Sequence, residues 1–269
     1  MNPPPASIYI KNLFEMDKHV FLCETESEYE SLVYDTPHVA LTEDDDTVHY
    51  DKPKIIVNGY EFVDMGTSVL WATCNIGAKS PEEYGWYFKW GRTTAYNSDR
   101  TPIDGGDAVS FVWSNSPYLT SGSGSTAKWS KYTATNETSS TGIADNKFVL
   151  EPEDDAAYMH IGGECRMPTK TEFQELLNAC NTIWVDDYNG TGINGQLFTL
   201  KIDPSKTLFF PASGALDSTM FQQYGTHGYY WSSSLNRSGY AWINLFDESI
   251  KLSDMGRYRG HVIRPVLPK

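Results

Sequence analysis

Cysteine is scarce in this chain of 269 residues. Its four copies, Cys23, Cys74, Cys165 and Cys180, never fall in a CxxC pair. That spacing excludes a zinc knuckle or a thioredoxin-like motif and argues against a dense disulfide framework, so most of the four read as buried free thiols. Positive charge is short as well. With 21 Lys and Arg against 35 Asp and Glu, the formal charge of −14 repels a phosphate backbone and removes nucleic acid from the expected partners. No apolar run reaches the length of a membrane span, and the start Met1-Asn2-Pro3-Pro4-Pro5 has neither the basic opening nor the apolar stretch of a signal peptide. The expectation is a soluble chain made in the cytoplasm, with no membrane span. Lys- and Glu-rich helical stretches are few, which excludes a long-helix bundle.

What the chain has in quantity is aromatic side chains, 14% of the residues with 17 Tyr and 8 Trp. That richness points to many short strands and ordered loops. Residues 1–54 stand apart: they are acidic, open on prolines and close on the polar stretch 43–54 before the apolar run Ile55-Ile56-Val57. They read as a small N-terminal appendage with strand-like runs at Ser7–Ile10, Val20–Cys23 and Val39–Leu41 and a helical stretch at Glu24–Leu32. The acidic runs Glu43–Asp46 and Glu151–Asp155 lack the alternating ligands and central glycine of a calcium loop, so they read as solvated loops with no metal.

From residue 55 to 269 the pattern is that of one α+β domain. Tyr60–Met65 and Val69–Thr73 alternate like adjoining strands around Gly66. Ser80-Pro81-Glu82-Glu83 carries the cap, the proline and the acidic third residue of a helix start, cut short by Gly85. Residues 97–146, rich in Ser, Thr, Gly, Asn and Asp, read as long surface loops that either form a binding loop or simply cover the core. Thr169–Cys180 is the clearest helix, with Thr169 as cap, Glu172 completing a capping box, and Phe173, Leu176, Leu177 and Cys180 on one face. A shorter helix is expected over Glu153–His160. Strands follow at Leu197–Ile202, Thr207–Phe210, Tyr229–Ser232, Tyr240–Phe246, Ile250–Leu252 and His261–Val266.

Seven strings, taken in order, carry a resemblance: 60–78 (YEFVDMGTSVLWATCNIGA), 81–93 (PEEYGWYFKWGRT), 154–157 (DDAA), 162–176 (GGECRMPTKTEFQEL), 208–214 (LFFPASG), 228–234 (GYYWSSS) and 257–266 (RYRGHVIRPV). Over about residues 58–266 the chain resembles the C-type-lectin-fold proteins of Bacteroides-type gut bacteria and their phages, in the subgroup related to formylglycine-generating enzymes. Many of that group look like variable proteins of diversity-generating retroelements, whose C-terminal coding segment is overwritten from an error-prone copy of a template. The resemblance implies a C-type lectin fold and a variable segment at about 226–266. It also implies a partner, protein or glycan, on a bacterial surface, and the appendage suggests attachment to a virion by its position. On this reading the chain is virion-associated, or cytoplasmic before release.

Nothing in the chain spells out catalysis. The relatives that oxidise cysteines use a reactive cysteine pair, and no cysteine follows Cys180. His160, His227 and His261 are isolated. The Glu-Pro-Asn-like and Trp-Asn-Asp-like strings of calcium-dependent sugar binding are missing. A non-enzymatic binding protein without a cofactor is therefore expected, the alternatives being a formylglycine-generating-like oxidase or a fixed, non-diversified adhesin. Tyr229, Tyr230 and Trp231 read as scaffold rather than platform, and Arg166 and Arg264 as internal contacts.

The expected contact surface comprises Asn236, Arg237, Tyr240, Trp242, Asn244, Asp247, Lys251, Ser253, Asp254, Met255, Tyr258, Arg259 and His261, a mixture rich in the Tyr, Trp and Arg that anchor interfaces. Within it, alternation turns Ile250 and Leu252 inward and Lys251 and Ser253 outward, beside a loop Asp254-Met255-Gly256. Trp71, Trp90, Phe173, Leu176, Phe210 and Trp231 are the expected core.

Overall fold

The structure, a computed structural model, describes residues 54–247 and 249–269. The strands and helix expected between Ser7 and Leu41, Cys23 and the acidic run Glu43–Asp46 lie outside the described residues. The chain divides into two units, Met1–Ile56 and Val57–Lys269, with the short strand β1 (Ile55–Val57) across the division.

The second unit is mostly β-sheet with two α-helices, a mixed α+β arrangement. Strand β2 (Tyr60–Val63) pairs with β3 (Val69–Ala72), and β3 pairs on its other side with β16 (Val266–Pro268), both antiparallel. Residues from the two ends of the unit thus share one sheet, with Val266 opposite Trp71. A meander follows of β7 (Cys180–Val185), β8 (Gly195–Leu200) and β9 (Thr207–Pro211). A second meander, β12 (Gly228–Leu235), β13 (Ala241–Phe246) and β14 (Ile250–Met255), carries most of the C-terminal segment. The two-residue strands β4 (Phe88–Lys89) and β15 (Gly260–His261) join β10 (Ala215–Asp217) and β11 (Met220–Gln222) in the order β11-β10-β15-β4.

Helix α2 (Lys170–Ala179) forms where expected, because its start is satisfied locally. Thr169 Oγ1 accepts the Glu172 N–H at 3.2 Å and Glu172 Oε2 accepts the Thr169 N–H at 2.7 Å. It buries Phe173 and Leu176, with Leu177 partly covered. Helix α1 (Ala156–Ile161) is shorter than expected, since Pro152–Asp154 makes a 3-10 turn and Asp155 takes the cap position, accepting the Ala157 and Tyr158 N–H groups.

Sheet β12-β13-β14 has a core on each side. Register sets the two faces: Trp231, Ile243 and Ser253 lie across from one another on one, Tyr230, Asn244 and Leu252 on the other. Trp231 and Ile243 pack with Trp90, Phe88 and Tyr132, whereas Tyr230 and Phe246 pack with Trp71, Phe173, Leu176 and Phe210. All six expected core residues are 0% exposed. The two scaffold arginines also sit as expected. Arg166 forks onto Glu172 at 2.5 Å, and the fully buried Arg264 donates to Asn75 Oδ1 and to the carbonyls of Ala72, Thr73 and Phe209.

Three expectations need correction. Ser80–Glu83 forms only a turn, with the Glu83 N–H on the Ser80 carbonyl at 3.3 Å. A stretch this short buries no apolar stripe, and its backbone is held as a loop by Asn75 Nδ2 donating to the Tyr84 carbonyl. Gly85, at φ +74°, allows no helix to continue, and a Cβ there would lie 2.4 Å from the Ile76 carbonyl oxygen. Residues 97–146 do more than cover the surface, for Phe111, Trp129 and Tyr132 are buried, Trp129 ending a small hairpin of β5 (Leu119–Ser121) and β6 (Lys128–Trp129). Nor is Glu151–Asp155 a freely solvated loop: Asp154 and Asp155 are buried, and Lys131 Nζ reaches Glu151, Glu153 and Asp154 at 2.6, 3.2 and 2.5 Å.

Candidate functional site: the C-terminal hairpins

The thirteen residues expected to make contacts come from the β12–β13 turn, strands β13 and β14 with the turn between them, the segment leading to β15, and β15 itself. Eleven of them reach solvent to some degree, with Arg237, Lys251 and Asp254 exposed. The pairing of β13 with β14 divides them. Lys251, Ser253 and Met255 share a face with Leu245, Ile243 and Ala241; Trp242 and Asp254 are directly opposite each other on the reverse face. There Lys170 at the start of α2 places its ammonium 3.5 Å from the centre of the Trp242 ring. The residues therefore wrap the edge strand β14 instead of lining a single face. Ile250 and Leu252 do turn toward the core while Lys251 is exposed, but Asp254 and Met255 belong to β14 and not to a loop.

Asn244 and His261 do not belong to a surface. Asn244 is fully buried in the central strand β13, between Tyr230 and Leu252. His261 is fully buried in β15, its ring centre 4.3 Å from that of Trp231 and 5.2 Å from that of Tyr229. Burial, reinforced by the charge on Arg259, holds the His261 imidazole well below its ordinary pKa and so in the neutral form. The face of β13 that carries Asn244 packs with Tyr230 and Phe246 into one core, and the His261 ring lies against Tyr229 and Trp231, so both side chains point inward whatever their polarity.

What fixes the surface residues is a set of polar ties. Arg259 pairs with Asp217 at 2.8 Å, Asn236 Nδ2 donates to Asp254 across the strand ends at 2.9 Å, and Asp247 accepts both the N–H and the hydroxyl of Ser249. Arg257 matters more. It opens the string 257–266, inside the segment expected to vary at about 226–266, and is 0% exposed. Its guanidinium donates to the carbonyls of Gly239, Tyr132 and Lys131 and lies 4.0 Å from the Trp129 ring centre and 5.2 Å from that of Trp90. It thereby ties the β12–β13 turn to the 97–146 stretch.

That stretch also brings an aromatic side chain that sequence reasoning left out of the surface. Trp113, half-buried, meets Tyr258 at 5.1 Å, Tyr240 at 6.0 Å and Trp129 at 6.2 Å between ring centres. Tyr240 and Tyr258 are thus parts of one aromatic group with a member 127 and 145 residues before them. The only signal available in the sequence was the isolated tryptophan in an otherwise polar run.

Chemistry elsewhere is subdued. The thiols of Cys74, Cys165 and Cys180 are buried and unpaired, and burial pushes Cys165 and Cys180 up to about 11, away from the reactive thiolate. Ligand atoms of Glu151, Glu153 and Asp154 lie within 4.8 Å of one another, and the Lys131 ammonium already pairs with all three. No helix among the described residues is long and apolar enough to cross a membrane. Compared with protein-family models, with curated proteins and with solved structures, the chain matches none of them.

Proposed function

We propose that this chain is a non-enzymatic binding protein of the C-type lectin fold, in the formylglycine-generating-enzyme-like subgroup, whose C-terminal hairpins carry the contact surface. One observation carries the reading: beside a sheet packed from both sides, Tyr240 and Trp242 reach solvent between the buried Gly239, Ala241 and Ile243, Lys251 and Asp254 reach it from the edge strand β14, and Arg237, Tyr258 and Arg259 reach it from the adjoining turns. Side chains at such positions change without cost to the fold, the property that retroelement diversification of about 226–266 requires. The pairing of β3 with β16, which closes the unit on itself, suits that fold. The raised thiol pKa values weigh against the oxidase alternative. The partner is a protein or glycan on a bacterial surface, and residues 1–54 are the segment proposed for attachment to a virion.

The test is binding of fluorescently labelled protein to gut bacterial cells, scored for wild type and for K251A, Y258A and R237A. Loss of cell binding with an unchanged melting temperature supports the reading. Equal binding by all three variants, or turnover of a cysteine-containing peptide by the wild type, overturns it. A reverse transcriptase gene beside a near-copy of the C-terminal coding segment separates a diversified protein from a fixed adhesin.

A further inference from the structure

Beside the edge of these hairpins lies an open cleft of about 730 Å³. Three stretches of chain build it: Trp184 and Asp186 with Asn194 from the β7–β8 hairpin, Thr226 and His227 ahead of β12, and Asp247 with Ser249 between β13 and β14. Its chemistry is unusual for a pocket. Small-molecule sites are mostly apolar with a few polar groups, whereas here Trp184 is the single apolar side chain and no Lys or Arg takes part.

The indole is held still. One side of Trp184 packs against the core, and its N–H donates to Asp186 Oδ1 at 2.8 Å, which leaves the ring a fixed, half-exposed plate. Asp247 Oδ1 is engaged by Ser249, and its Oδ2 lies 3.7 Å from His227 Nε2. Asn194 is pinned in the same way, donating to the Gly225 carbonyl and accepting the Asp187 N–H, each at 3.1 Å. Asp186 therefore keeps its second oxygen, Asn194 its second N–H, and Ser249 its hydroxyl lone pairs for an incoming group, while Asp247 Oδ2 and His227 Nε2 face each other at 3.7 Å.

We infer that this cleft is a calcium-independent site for a neutral saccharide. A pyranose offers an apolar C–H face for the indole plate and a rim of hydroxyls that both donate and accept, which matches a cleft holding acceptors and donors together. A purely cationic ligand would use only the acceptors. An apolar peptide side chain would find one wall, and an acidic sugar would meet two carboxylates with no basic residue to balance it. The one convergent group of three His, Cys, Asp or Glu ligand atoms among the described residues, Glu151, Glu153 and Asp154, does not line this cleft. The inference rests on the reading of the chain as a binding protein, but the cleft meets the expected contact residues only at Asp247.

The experiment titrates the full chain with methyl glycosides of glucose, galactose, mannose and N-acetylglucosamine and with short neutral oligosaccharides. Sialyllactose and a sulfated disaccharide serve as the acidic comparison, with indole fluorescence and saturation-transfer NMR as readouts. Saturable binding of at least one neutral sugar is expected, unchanged by EDTA. Binding should be weakened at least about tenfold by W184A and by D247N, as truncating an anchor does, and left intact by K79A, an exposed residue outside both the cleft and the contact surface. W184F, which keeps a smaller plate, should fall between and guards against misfolding of W184A. Failure of every neutral sugar to bind, tighter binding of the acidic ones, loss in EDTA, or full affinity in both W184A and W184F overturns the inference. If the sugars fail while K251A and Y258A still abolish binding to cells, the cleft is refuted and the contact surface stands.

Discussion

Replacing Arg257 by alanine should cost the protein more than replacing any of its solvent-reaching neighbours. Three carbonyls, at 2.8, 2.7 and 3.3 Å, accept from its guanidinium, and a hydrogen bond from a charged donor is worth about 1.5–3 kcal/mol. Stacking against Trp129 and Trp90 adds roughly 0.5–2 kcal/mol for each ring. Against these gains stands the burial of the charge. Burial pushes the Arg257 pKa down to about 9, and desolvating an ion costs several kcal/mol, which the alanine variant recovers. The balance is a destabilisation of about 3–5 kcal/mol, because the carbonyls of Gly239, Lys131 and Tyr132 lose their donor in a closed interior. With a urea slope near 3 kcal/mol per molar, the upper part of the usual range, the unfolding midpoint should drop by about 1–2 M. R257K keeps the charge without the fork and should lose about half as much. Tryptophan fluorescence during urea unfolding measures all of this. An R257A midpoint within about 1 kcal/mol of wild type would refute the claim that this side chain pins the β12–β13 turn to the 97–146 stretch.

Truncating Phe173 or Trp231, each 0% exposed, to alanine should cost about 3–5 kcal/mol, read by the same unfolding curves. Lys251→Ala and Tyr258→Ala should each stay within about 1 kcal/mol, as surface changes do, and an unfolding midpoint shifted further would place those side chains in the core. His261 carries a pH signature. Its folded pKa lies below its unfolded value of about 6.5, so its contribution is fully present above that pH and is lost as the pH falls, at up to about 1.4 kcal/mol per pH unit. H261Q should flatten the stability profile between about pH 6.5 and 5 relative to wild type. Parallel profiles for the two proteins would mean that the imidazole titrates normally.

The features legible in the sequence are those that short-range chemistry decides. Thr169 and Glu172 satisfy each other's backbone three residues apart, so α2 could be placed from the chain alone. The inward turn of Ile250 and Leu252 follows from alternation along one strand. What alternation cannot supply is the partner strand, and the pairing of Trp242 with Asp254 sends residues that looked like one surface to opposite faces. The role of Arg257 is hidden for a related reason. An arginine in a polar stretch looks solvent-bound until the carbonyls 125 and 126 residues earlier are seen around it. The same distance hid Trp113 from the contact surface, and it hid the burial of Asn244 and His261, whose strands are covered by elements remote in sequence.

The joining of β3 to β16 has a consequence for how the protein is made. Arg264 reaches back 189 to 192 residues to Asn75, Thr73 and Ala72, and β3 lacks its second neighbour until β16 exists. On a ribosome the early strands emerge long before the strand that completes their sheet, and contacts of such sequence separation form slowly. The unit therefore cannot close during most of its synthesis. Until then one hydrogen-bonding edge of β3 is without its partner strand, and an unpaired edge of this kind is a template for aggregation. A ribosome-bound chain stalled after β14 should accordingly be protease-sensitive around β3, and release of the finished chain should abolish that sensitivity.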